Sequence, residues 1–473
     1  MLMKQTRGSR KRSRTHDAHS MKRESDRMLR KQALFEFANQ SVFAQQPSFY
    51  CDSPYTCPLR PLDLFKLEFD RILSQGELNQ PSYLMGQRLL LNIYEQDLVF
   101  LPQNGKLALT EFRTFYHEEV RRAGAAIRPM LERHVFGWLD EEISISGNWD
   151  IDTFKAYADQ ELDRIAKAPS RLINCISTSR NPENTARFFL IQCASDFLSE
   201  ASAMARNVLG NFGTDQSELF KILIDEYGYG VPQKKHSVIF ESLMTQCGLN
   251  PAVHYYWQFY TASSLALTNY FHYVSANHQH FFRYLGALFY TEASLALVTR
   301  AQSQAMRLAF SDTVDTLYFD EHTHIDVHHG KMALERLILP VVQRYGQQVL
   351  PDIIRGFEEF RLLQDLADAD LFSHIAWHDS LAAGQPALLP QLQSNARSSS
   401  FHECRDELSV THVHGCTELF VVNRGTLRLV CTPFTHLDLA AGQHVVIPVG
   451  MLHGSVITSE QCSYTVTSME QSS

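Results

Sequence analysis

The stretch Phe319–Asp320–Glu321–His322–Thr323–His324–Ile325–Asp326–Val327–His328–His329–Gly330 decides how this sequence reads. On an α-helix, His322, Asp326 and His329 fall at i, i+4 and i+7, so all three side chains leave one face. Two imidazoles and a carboxylate on one face outline a transition-metal site. His324 and His328 fall on other faces and are expected at the surface or behind the ligands. A histidine-rich face can also be plain solvated surface, so the weight comes from the residues upstream.

Upstream, acids stand on apolar helical faces. Glu200 shares a face with Cys193, Phe197 and Met204. Glu226 follows Leu219, Ile222 and Leu223, and Glu292 sits among Leu288, Phe289, Leu295 and Ala296. His236 opens a stripe with Ile239, Phe240 and Leu243. Burying an unpaired carboxylate costs several kcal/mol, so each needs a cation. A buried salt bridge would serve for any one acid, but few Arg or Lys lie on these faces. Seven side chains (Glu200, Glu226, His236, Glu292, His322, Asp326 and His329) are too many for one ion and suit two. Mixed carboxylate and imidazole ligation in a helical bundle favours iron or manganese over structural zinc, which would want Cys. Four acids neutralise two divalent ions, and the natural chemistry is O2 activation by two Fe(II). Which ion each ligand holds stays open.

A second set of imidazoles lies near the C-terminus, where the texture changes. Gly384, Pro386, Pro390 and Ser398–Ser399–Ser400 read as a linker. Short β-rich runs come next, Leu419–Val422, Thr426–Cys431 and His444–Ile447, so the last ~75 residues are expected to form a small all-β unit. His412 and His414 share parity on a strand, with Glu418 on the same side, and His453 arrives from another strand. Three imidazoles from two strands can cap one face of an ion. Glu418 stays open as a fourth ligand.

The rest of the chain bounds the partners. Its 473 residues are 44% hydrophobic and 20% charged, which excludes disorder along most of the length and implies two or three domains. Residues 1–32 carry eleven Lys/Arg and three acids, so the remainder stands at −17 within an overall −9. The acidic body argues against nucleic acid and suits a cationic substrate; the tail reads as solvated chain. With no run of about 18 apolar residues and no apolar core near the start, neither a membrane span nor a secretory signal is expected. Nine cysteines without a C-x-x-C pair point to a reducing, cytoplasmic compartment. Helices are expected from about residue 45, one amphipathic stretch starting at Leu62, Leu64, Phe65, Leu67 and Phe69 and another running from Val120 to Phe136. Asn181–Pro182–Glu183 reads as a helix start, and Ser311 or Asp312 as the cap of a later helix. Tyr255, Tyr256, Trp257, Tyr260 and His254 are dense enough to line a pocket, but at helical spacing they read as core.

Two resemblances emerge. The first seven ligands resemble the pattern of the heme-oxygenase-like diiron oxidases: a Glu, a Glu with His ten residues on (Glu226, His236), a third Glu, then H-x3-D-x2-H. The C-terminal H-x-H-x3-E-x6-G and G-x5-P-x-G-x2-H elements resemble the cupin family, a double-sheet jelly roll. Two positions depart: Asp406 stands where a Gly is expected, and Ile457 where an Asn is usual. The implied fold class is multidomain α plus β: a basic tail over 1–45, a helical scaffold or dimerisation domain over 46–165, a heme-oxygenase-like helical bundle over 166–380 and a cupin β-barrel over 381–473.

This order, from about residue 50 to the end, resembles the N-nitrosourea-forming enzymes of streptozotocin biosynthesis. The resemblance implies a non-heme iron oxygenase. Its diiron site would hydroxylate guanidine nitrogens of Nω-methyl-L-arginine, and its cupin iron would rearrange the product to an N-nitrosourea. It further implies three Fe(II) per chain, O2, an external electron donor and a homodimer, with Glu292, His329 and His453 indispensable to catalysis. Two alternatives remain: a diiron oxidase of another amine or amino acid with the cupin as binding module, or a non-enzymatic cupin sensor or regulator.

Overall fold

The computed structural model describes residues 27–469 apart from 44–46, 56, 58, 60–63, 65–66, 102–104, 169, 211 and 385–396. Of the disordered tail expected over 1–45, residues 1–26 and 44–45 lie outside the described residues, as do Leu62, Phe65, Pro386 and Pro390, whereas residues 27–38 are helical and bury Leu34, Phe37 and Ala38 in the core. Helices run to residue 382 and strands follow from residue 397, so the chain is α plus β in the expected order.

Eight helices frame the site: α1 (Pro81–Glu95), α2 (Pro182–Phe197), α3 (Thr214–Glu226), α4 (His236–Gln246), α5 (Ala262–Ala276), α6 (Phe281–Ala309), α7 (Leu317–Lys331) and α8 (Leu350–Ala382). The helix expected from Val120 is present as Glu118–Phe136, whereas residues 67–69 of the other stretch are not helical. Asn181 caps α2 by accepting from the Asn184 N–H at 3.2 Å, with Pro182 as the first helical residue. The cap expected at Ser311 or Asp312 is absent. Both sit in the left-handed region, at φ 51° and 57°, in the tight turn that leaves α6, and Thr316 precedes α7.

The long helices α6 and α8 meet backbone to backbone. A Cβ on Gly286 would fall 1.8 Å from the Ile353 carbonyl oxygen, and one on Gly356 1.9 Å from that of Arg283. Only glycine permits this approach, and it fixes α6 as the central strut of the bundle. Helix α7 lies on α6 almost as closely, Gly330 facing Ala293, which sets His329 beside Glu292. Residues on both sides of position 165 share one core, with Phe37, Tyr55, Trp138 and Phe154 packed together with Leu285, Phe289, Ile353 and Phe357.

The strands are β1 (Arg397–Cys404), β2 (Leu408–His412), β3 (Thr417–Arg424), β4 (Thr426–Thr432), β5 (Thr435–Ala440), β6 (His444–Ile447), β7 (His453–Ile457) and β8 (Gln461–Met469). They form two antiparallel four-stranded sheets in the orders β1-β8-β3-β6 and β2-β7-β4-β5. That interleaving is the double Greek key of a jelly roll. Among the described residues no hydrogen-bonded ladder joins the two sheets, so the expected β-barrel is a two-sheet sandwich. Ser398–Ser400 are strand rather than linker: they pair with Thr467, Val466 and Thr465 of β8, satisfying backbone groups that a linker would leave to water. Asp406 takes φ 66° in the turn before β2. This is the backbone that favours Gly, and Asp is among the few residues that tolerate it.

The two parts share cores. Trp377 and Leu381 of α8 pack with Phe420, Val422, Leu427 and Leu429 between the sheets. In return Val413, Val430 and Leu452 pack with Phe188, Trp257 and Leu371 of the helical body.

Candidate metal centres

The first centre is assembled from ends as much as from faces. Glu226 is the last residue of α3 and His236 the first of α4, two short 3-10 turns between them. Glu292 stands mid-way along α6, and His322, Asp326 and His329 share the buried face of α7. His324 and His328 are exposed. Glu200 is not on a helix face, as its spacing suggested. Helix α2 stops at Phe197, and Glu200 lies in a run of turns in which Ala201 adopts φ 62°. The turn brings its carboxylate to α7, where a continued helix would keep the α2 direction.

Ligand atoms converge in two groups. Glu200, Glu226, His236 and His322 form one; Glu226, Glu292, Asp326 and His329 form the other, each with its atoms within 4.8 Å of one another. Glu226 belongs to both, as a bridge between two ions requires. Its Oε2 lies 2.6 Å from His236 Nδ1 and its Oε1 3.3 Å from His329 Nδ1. His329 Nδ1 is also 3.3 Å from Glu292 Oε2, and His322 Nε2 is 3.2 Å from Glu200 Oε1.

Electrostatics strain this arrangement when no ion is held. Burial alone would lift Glu226, but its contacts with the rings of His236 and His329 hold it well below the ordinary carboxylate range. Burial and the neighbouring Glu292 push Asp326 up to about 9. Against burial, Glu200 raises His322 to about 10, and Glu292 with Glu226 raises His329 to about 12. Protons thus stand where cations belong. Several buried atoms remain without a well-directed hydrogen bond: Glu200 Oε2, Glu226 Oε2, Asp326 Oδ2, His236 Nδ1 and His329 Nδ1. Orphaned buried polar atoms are costly, and here five of them point at the same two places. The donor set fits two divalent ions: four carboxylates balance their charge, and oxygen with imidazole nitrogen suits iron.

Two residues outside the sequence-derived set complete this centre. Asp225 accepts at 3.2 Å from His329 Nε2, the usual way a carboxylate orients a ligating ring. Tyr318 donates to Glu200 Oε1 at 2.9 Å, and its carbonyl oxygen takes His322 Nδ1 at 2.6 Å. The signal for both was adjacency: Asp225 precedes Glu226, and Tyr318 stands one turn before His322. His254, Tyr256, Trp257 and Tyr260 are buried core, and His254 is engaged by Glu95.

The second centre holds His412, His414 and His453, whose nitrogens also lie within 4.8 Å of one another. His412 pairs directly with His453 across β2 and β7. His414 is in the turn beyond β2, so its ring converges through that turn and not through strand alternation. Backbone carbonyls take the Nδ1 of two rings, Val410 that of His412 and Met451 that of His453, both at 2.9 Å. That fixes the tautomer and turns each Nε2 toward the common point. Glu418 is outside this group. It lies 3.2 Å from His414 Nδ1, and burial pushes its carboxyl up to about 7. Three imidazoles fit one further iron with open positions.

Residues 187–365 match the family described as iron-containing redox enzymes. A nitrosourea synthase from Streptomyces achromogenes subsp. streptozoticus is 43% identical over 450 residues, which is 92% of this chain and 94% of that protein. Among solved structures, a cupin-2 domain protein from Shewanella frigidimarina is 21% identical, covering 20% of this chain and 92% of its own at a TM-score of 0.15. A cupin domain from Bordetella pertussis is 17% identical, covering 17% and 88% at a TM-score of 0.15. Buried acids and imidazoles gathered at two points, in a region matching iron redox enzymes, make this chain an iron oxygenase. It belongs to the nitrosourea synthase family.

Proposed function

We propose that this enzyme hydroxylates the guanidine nitrogens of Nω-methyl-L-arginine at the bundle site and rearranges the product to an N-nitrosourea at the cupin site. The observation that carries the reading is the pairing of a Glu226-bridged, double cluster with a separate three-imidazole cluster in one chain, in a relative of a nitrosourea synthase. Iron bound at these residues would supply redox chemistry toward O2, with electrons from an external reductant. Glu200, Glu226, His236, Glu292, His322, Asp326 and His329 would hold the two bundle ions; His412, His414 and His453 would hold the third. Asp225 and Tyr318 hold the rings and carboxylates of the first site in place. Glu292, His329 and His453 are the ligands on which turnover depends most directly.

The acidic body of the chain suits a cationic guanidinium on charge alone. Two sites on one chain also keep a labile hydroxylated intermediate at high local concentration. All nine cysteines are free thiols, which supports a reducing, cytoplasmic setting. Among the described residues no helix is long and apolar enough to cross a membrane. A homodimer built through the N-terminal helices belongs to the same reading. The test is mass spectrometry of products from methylated arginine, Fe(II), O2 and reductant. Hydroxylated arginine followed by nitrosourea is expected. Unchanged substrate with three irons bound would overturn the substrate assignment, and two irons with hydroxylation alone would favour an oxidase with a binding cupin.

A further inference from the structure

The cupin imidazoles are aimed from outside the cupin. His374, fully buried on α8, accepts the backbone N–H of Leu452 on Nε2 at 3.0 Å. Leu452 immediately precedes His453 in the sequence. An acceptor Nε2 fixes the ring proton on Nδ1, which faces Asp370: the carbonyl oxygen is at 2.9 Å and carboxylate Oδ1 at 3.2 Å. Asp370 is held in turn by the Ser263 hydroxyl, which donates to Oδ2 at 2.5 Å. The other side of the same turn is tied as well. Gly450 N–H donates to the His414 carbonyl at 2.9 Å, and His453 Nδ1 meets the Met451 carbonyl. A chain of hydrogen bonds therefore runs from α5 through α8 to the turn that launches His453.

We propose that His374 is a positioning residue for the mononuclear centre: by holding the Leu452 N–H it sets the turn that aims His453 at the metal. The helical bundle thus builds part of the cupin site through α8, which packs on α6, the helix that carries Glu292. The physical reason is geometric. His453 is the first residue of β7, where it pairs with His412, and the sheet fixes it and the residues after it but not the turn before. The residues before it leave the ladder, and an unanchored turn lets the imidazole swing. A ligand held by outer partners binds metal more tightly because less freedom is lost on coordination, and removing such a partner costs about 10- to 100-fold in affinity.

The inference rests on reading the three imidazoles as an iron site, and the wild-type control separates the two. The full-length protein is loaded anaerobically with Fe(II). Iron per chain is counted, and the ferrous nitrosyl spectrum of the mononuclear centre is recorded by electron paramagnetic resonance. Wild-type protein without a mononuclear nitrosyl signal would sink the underlying reading. In His374→Leu, which keeps bulk and removes the acceptor, mononuclear affinity should fall about 10- to 100-fold. The nitrosyl signal should shift or broaden while the bundle keeps its two ions. His374→Gln, whose side-chain oxygen can accept the same N–H, should restore most of both. Unchanged affinity and spectrum in His374→Leu would overturn the proposal. So would loss of all three ions in both variants together with a lowered unfolding temperature, since that marks a merely structural residue.

Discussion

Loading the bundle with iron should release protons, and the site sets the number. Without metal, Asp326 sits at about 9, His322 at about 10 and His329 at about 12. All three are protonated at pH 7, and all three must lose the proton to bind an ion. About three protons per chain should therefore appear when two ferrous ions bind. Each obligatory proton multiplies apparent affinity by up to about ten per pH unit, so the product of the two binding constants should rise up to about a thousandfold from pH 6.5 to 7.5. Stability runs the other way. Each of these groups holds its proton more tightly in the folded protein than in the unfolded chain. The stability they give the metal-free fold is complete below the unfolded values, about 4 for Asp326 and 6.5 for the imidazoles, and is lost as pH climbs through 9 to 12. Metal-free protein should thus melt progressively lower from pH 6.5 to 9, and loaded protein should not track it. A pH-indicator dye in weakly buffered anaerobic solution counts the protons, and differential scanning calorimetry records the melting. Proton release near zero at pH 7 would refute the view that protons stand in for the ions.

Other perturbations divide the two centres. Glu226→Ala removes the shared ligand and should lower iron from about three to about one per chain, leaving the mononuclear nitrosyl signal intact. Glu292→Ala or His329→Ala should abolish arginine hydroxylation, seen as unconsumed substrate by mass spectrometry. His453→Ala should let hydroxylated arginine accumulate without nitrosourea, and nitrosourea from that variant would remove the cupin from the reaction. Asp406→Val should destabilise the fold by about 1–2 kcal/mol because a β-branched residue resists φ 66°, whereas Asp406→Gly should be near neutral, both read from urea midpoints.

Sequence made the chemistry more legible than the backbone. His322, Asp326 and His329 announced themselves because a regular helix carries them, and the structure keeps them on one buried face. The C-terminal β unit was legible because its turns and alternating runs are local signals, and its strand order adds a level that no local signal gives. The helices on either side of position 165 bury apolar residues in one shared core, a contact that no local signal announces. Asp225 was hidden behind a better candidate, Glu226, because adjacency on a helix says nothing about which ring nitrogen a carboxylate meets.

The misread elements share a physical cause. Periodicity placed Glu200 on a helix and His414 on a strand, and both lie in turns. Glu226 and His236 occupy a helix end and a helix start, and His453 a strand start. A metal needs donors converging from many directions onto one point, while a helix or strand sends its side chains out in parallel rows. For these five, convergence is therefore achieved where regular structure stops, at the cost of left-handed residues such as Ala201 and of carbonyls diverted to hold rings, and they meet Glu292, His322, Asp326 and His329 from mid-helix. Once chosen, such an aimed but irregular ligand needs a brace from outside its own element. Tyr318 braces Glu200, Asp225 braces His329, and on the same logic His374 braces the turn before His453. The braces come from neighbours in space, which is why a single sequence names candidate ligands and leaves their supports unmarked.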